Sequence, residues 1–152
     1  MKPHSCLSIA AIVICLSCHE KPSDSSSVPI QGTWRLLTGT LIEKGDTTVT
    51  DYTAKLEMIK IINATHFSFL NHDRNHGKDS TASFAAGGGT YTLMGDEYVE
   101  HLEFCSDRQW EGHDFTFRVE IKNDTLLQTG TEVIEDLGIN RLNIERYVRV
   151  VN

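Results

Sequence analysis

Asp114-Phe115-Thr116-Phe117-Arg118-Val119-Glu120-Ile121-Lys122 is the stretch that decides the fold. Its odd-numbered positions are apolar and its even-numbered positions are polar or charged, a period of two with one dry face and one wet face. A helix would need apolar residues at spacings of three and four, so the segment is a half-buried strand. Asn123-Asp124 follows as a turn, and Thr125 to Thr131 starts the return strand.

The same pattern extends outward in both directions. Gly32 to Glu43 and Thr47 to Tyr52 flank Lys44-Gly45-Asp46. Lys55 to Ile62 and Thr65 to Leu70 flank Asn63-Ala64, and Tyr91 to Met94 and Tyr98 to Cys105 flank Gly95-Asp96. The last strand, Arg141 to Val150, has Leu142, Ile144, Val148 and Val150 on one face and Arg141, Asn143, Glu145, Tyr147 and Arg149 on the other. A short helix fits Glu132 to Leu137, just before the Gly138 turn. About eight to ten short strands with tight turns and no long helical pattern make an all-β protein, a sandwich or a barrel. A single antiparallel up-and-down β-barrel is the better solution, because closure leaves no open edge.

The amino terminus is organised differently. Met1 to His4 carries one firm positive charge, Leu7 to Leu16 is an apolar run, and small Ser17 precedes Cys18. This order is that of an export signal. A run of about ten residues is too short for a transmembrane helix, which needs about 20. A cysteine just after the small residue resembles the lipobox of bacterial lipoproteins, although Cys15 stands where such motifs usually carry leucine. The resemblance implies cleavage before Cys18 and lipid attachment to it. The chain then divides into a signal peptide over residues 1–17, an acylated cysteine with a Ser-rich flexible tether over 18–29, and a folded domain over 30–152. That domain is long enough for one sizeable core.

Charge and cysteine content narrow the classes. The formal net charge is −7 without a basic cluster, which excludes nucleic acid as a partner, since phosphate contacts need Lys and Arg. Charge also gives no attraction to an anionic membrane, so only the lipid would hold the chain there. Of the four cysteines, Cys6 and Cys15 leave with the signal and Cys18 carries lipid. Cys105 alone remains, so the domain has no internal disulfide and Cys105 is read as a small buried hydrophobe.

Two positions select among β architectures. Gly32-Thr33-Trp34 opens the first strand, and Arg146 lies in the last, on the face of Ile144 and Val148. If that apolar face points inward, Arg146 needs a partner, and the Trp34 indole supplies one when the first and last strands are neighbours. This pairing resembles the lipocalin-like, or calycin, pattern, which implies barrel closure by Gly32, Trp34 and Arg146. Typical secreted lipocalins add a disulfide pair and a long terminal helix, and neither is seen here. Three further blocks, Met58 to Phe69, Ala86 to Tyr91 and Glu100 to Cys105, with Trp110 to His113, are similar to uncharacterised lipocalin-like lipoproteins of Bacteroidetes-type bacteria. That resemblance covers residues 30 to 150. It implies an outer-membrane, lipid-anchored envelope location, on the periplasmic side or the cell surface, and brings no established activity.

Candidate chemistry is sparse. His66, His72, His76, His101 and His113 recur with Asp73, Glu103 and Cys105 nearby, but His72 and His76 fall in a polar loop without a helix to align them. No metal site or cofactor is expected from that spacing. His101 and Glu103 share one face of their strand, while Leu102 and Phe104 share the other. The favoured placement puts Leu102 and Phe104 in the core. The alternative puts His101 and Glu103 in the barrel, for a polar ligand or proton transfer. Gly87-Gly88-Gly89 lacks the Lys and Ser or Thr of a phosphate loop and marks a bulge or corner.

The leading expectation is a small, partly apolar ligand held noncovalently in the barrel mouth. The lining residues would be Phe67, Phe69, Tyr91, His101, Glu103, Trp110, Phe115 and Phe117. An accessory envelope protein with a protein partner, a filled barrel and an apolar patch around Trp110 is the second reading. A barrel enzyme using His101 and Glu103 is the third.

Overall fold

The computed structural model describes residues 27–151. The expected signal peptide, Cys18 and most of the expected tether lie outside the described residues. Nine strands follow in chain order: β1 (Gly32–Glu43), β2 (Asp46–Asp51), β3 (Leu56–Ile62), β4 (His66–Asp73), β5 (Phe84–Met94), β6 (Glu97–Cys105), β7 (His113–Lys122), β8 (Thr125–Ile134) and β9 (Ile139–Arg149). Every pairing is antiparallel, and β9 returns to β1, from Trp34 opposite Arg149 to Ile42 opposite Leu142. β2 and β3 share one edge of β1. β2 pairs with Thr38 to Glu43, and β3 with Gly32 to Arg35. The circuit is therefore a closed eight-strand barrel with one interrupted stave, an all-β up-and-down architecture of lipocalin-like type.

Local chemistry sets the turns. Lys44 and Gly45 both have positive φ, as do Asn123 and Asp124, the backbone of tight hairpins whose twist matches the strands. The helix expected over Glu132 to Leu137 shrinks to one 3-10 turn, Glu135–Leu137, because β8 stays paired as far as Ile134. Gly138 ends that turn in the left-handed region, with φ of 65°.

The base is sealed by apolar and aromatic side chains. Ile30, Trp34, Leu36, Tyr98, Leu126 and Tyr147 are all essentially inaccessible. Burying a large apolar side chain contributes about 1.5–3 kcal/mol. Trp34 Nε1 donates to the Ile30 carbonyl at 2.7 Å, and Val28 N donates to the Gly95 carbonyl at 3.1 Å, so the incoming chain crosses under the base.

Closure occurs as expected in kind, with a different arginine. Arg146 is exposed, beside Thr38 and Leu127 on the outer face. Arg149 carries the cation instead, its guanidinium 4.1 Å from the centre of the Trp34 ring. It also donates to the carbonyls of Gln31 and Pro29, at 2.8 and 3.2 Å. Gly32 makes room for it: φ is +140°, and a Cβ there would lie 2.5 Å from Arg149 Nη1. The physical reason for the exchange is the polarity of the interior. β9 turns Arg141, Asn143, Glu145 and Tyr147 inward and leaves Leu142, Ile144 and Val148 half-buried outside.

Candidate ligand cavity

At the end opposite Trp34 the barrel opens into a cavity of about 290 Å³. One wall is apolar: Met58, Phe69, Leu102, Phe115 and Phe117. Alternation places these side chains inward on β3, β4, β6 and β7. Trp110 lies in a 3-10 turn, Arg108–Trp110, that Asp107 caps through Gln109 N. Its ring packs 5.7 Å from Phe115 and 4.9 Å from the Arg141 guanidinium. Trp110 is thus a half-buried cover on the mouth.

The other wall is polar and ordered in two layers. In the lower layer Lys60 Nζ donates to Glu100 Oε1 at 2.6 Å and to Gln128 Oε1 at 3.0 Å. The Phe67, Tyr98 and Tyr147 rings surround the same ammonium at 5.5 to 5.9 Å. A lysine only 2 % exposed is tolerable because carboxylate, amide oxygen and ring faces replace its water. In the upper layer Glu132 accepts from Arg141 Nε at 2.7 Å and from Asn143 Nδ2 at 2.8 Å.

Three polar groups are left less well partnered. Glu145 accepts from the Tyr147 hydroxyl at 2.8 Å, and no basic side chain among the described residues lies within ion-pairing distance of it. Burial pushes the Glu145 carboxyl above its ordinary range, against the attraction of Lys60. Burial likewise raises Tyr52, Tyr98 and Tyr147, so these phenols keep their protons. Gln128 gives its oxygen to Lys60, which only donates, so its Nε2 is a buried donor with no partner. Asn71 Oδ1 is a buried acceptor with no partner.

The expected lining residues divide. Phe69, Trp110, Phe115 and Phe117 line the cavity. Phe67 is buried below it against Lys60. Tyr91 is also below, packed 5.3 Å from Tyr98 and donating to the Asn63 carbonyl at 2.7 Å. His101 and Glu103 are outside the barrel, which corrects their assignment to a ligand site. His101 Nδ1 is 2.8 Å from Asp114 Oδ1. Glu103 accepts from Thr90 Oγ1 at 2.7 Å and Thr90 N at 3.1 Å, which holds its carboxyl below the usual range.

Phe104 also departs from expectation, being 67 % exposed, whereas Leu102 is buried. A bulge explains both. Gly89 opposes Leu102 and Gly88 opposes Phe104, so Glu103 is the extra residue and the alternation reverses after it. Cys105 then faces the cavity, half-buried.

The polar lining was not anticipated from the sequence. Its traces were Lys60 interrupting an isoleucine-rich strand and Glu100 lying in phase with Tyr98 and Leu102. Among the described residues no group of three or more His, Cys, Asp or Glu side chains converges to hold a metal ion. Comparison of the chain with protein-family models and with curated proteins returned no match.

Proposed function

We propose that this chain is a binding protein that holds one small, partly apolar molecule noncovalently in the mouth of its barrel. The observation that carries this reading is the cavity itself: aromatic side chains on one wall and charged and amide side chains on the other, at the open end of a closed barrel. Concave sites with apolar walls and a few directed polar groups are how proteins hold small ligands. The proposal includes the cell envelope as its location, supported by the order of charge, apolar run, Ser17 and Cys18.

Native mass spectrometry of the chain purified from its own host without denaturant tests this reading. A discrete added mass, released on denaturation, is the expected result. A clean unliganded mass from freshly isolated protein counts against it.

A second reading, docking of another protein, has its own observation. Leu70, Phe84 and Phe104 face outward on β4, β5 and β6, and the two phenylalanines are each 67 % exposed. Exposed apolar clusters of this kind mark interaction surfaces. The enzyme reading loses its basis, because His101 and Glu103 do not face the cavity.

A further inference from the structure

The cavity is electrically lopsided. Glu100, Glu132 and Glu145 line it, with Asp107 at the rim, against Lys60 and Arg141 alone. Both cations are already engaged, Lys60 with Glu100 at 2.6 Å and Arg141 with Glu132 at 2.7 Å. The flat face of Arg141 is covered by Trp110 as well. An entering anion would therefore meet no free cation and at least one surplus carboxylate, whose repulsion is stronger at the barrel wall than in bulk water. Glu145, which accepts only from the Tyr147 hydroxyl, instead offers an acceptor to a donor entering the cavity.

Resting on the binding reading above, we propose that the ligand is a small cationic amphiphile, an ammonium group on an aryl or alkyl body. Glu145 receives the charged end, and the body lies among Phe69, Phe115 and Phe117. The aromatic faces add a second attraction, since a cation near ring faces is stabilised by their quadrupoles. The volume of about 290 Å³ suits a body about the size of one ring with a short chain.

Calorimetric titration of the whole chain with 2-phenylethylamine, 2-phenylethanol and phenylacetate separates the possibilities, because the three share a body and differ in charge. At neutral pH the amine should bind at least about tenfold more tightly than phenylacetate, like charges being disfavoured across an interface. It should also exceed the alcohol. Glu145→Gln, with its fold checked by circular dichroism, should erase the amine's advantage over the alcohol and leave the alcohol's affinity in place. Arg146→Ala, on the outer face, should bind as the parent does. Equal or tighter binding of phenylacetate would overturn the charge assignment while leaving the cavity reading intact, and so would an amine advantage that survives Glu145→Gln. Failure of all three probes to bind would overturn the ligand class; the binding reading falls with it only if the native mass spectrum of the isolated chain is also free of added mass.

Discussion

Glu145 is a carboxyl held in place by one phenol and a barrel wall. Because burial raises its pKa in the folded state, the folded chain binds that proton more tightly than the unfolded chain does. The stability it contributes is complete below the ordinary glutamate value of 4.5 and is lost as pH rises through the raised folded value. Glu145→Gln cannot ionise, so it should melt above the parent at pH 7 to 8, with each kcal/mol regained showing as about 4 °C. The gap should close near pH 4. Thermal scans of both proteins at the two pH values check this, and a constant offset would contradict it. Single residues of this kind were poorly legible in the sequence. Reading strand faces by hydropathy assumes a dry interior, and Lys60, Glu100 and Gln128 are inward groups that hydrogen-bond across strands up to 68 residues apart. Nothing local announces such a partner.

Strands and turns were far more legible, because their determinants are local. The alternation of β7 is realised with Phe115, Phe117 and Val119 buried. The glycine run lies within β5 rather than before a strand, and Gly88 and Gly89 face the bulge that Glu103 makes in β6. At Gly89 a Cβ would lie 1.9 Å from the His101 carbonyl oxygen, on backbone that cannot yield cheaply. Gly89→Ala should therefore destabilise by about 3 kcal/mol or more. Gly95→Ala meets open space and only a left-handed backbone, and should lose about 1 kcal/mol. Urea midpoints of the two variants test the contrast, and near-equal losses would refute the bulge account. Where element-level reading failed, the cause was phase. Phe104 was placed on the wrong side because the bulge at Glu103 inserts one residue. β9 was turned inside out because its more apolar face is the outer one, half-shielded by neighbours such as Thr40 and Thr129 beside Ile144.

Closure is the property of the whole barrel, and counting hairpins was enough to foresee it. The interrupted stave was not foreseeable, since β2 and β3 look like two ordinary strands until their shared edge on β1 is known. The latch between the first and last strands gives the sharpest global test. Arg149→Ala removes the cation over Trp34 and two hydrogen bonds to the incoming chain, and should lower stability by about 2 kcal/mol. Arg146→Ala should stay within about 0.5 kcal/mol, as expected for an exposed side chain. Equal effects in chemical denaturation would show that Arg149 does not hold the barrel shut. The crossing of Val28 and Ile30 beneath the base also gives the molecule a direction. The polypeptide leaves the barrel at its sealed pole, while the cavity opens at the other. The mouth of the cavity therefore faces away from the point at which Val28 and Ile30 meet the barrel, so anything entering it approaches from the pole opposite that crossing.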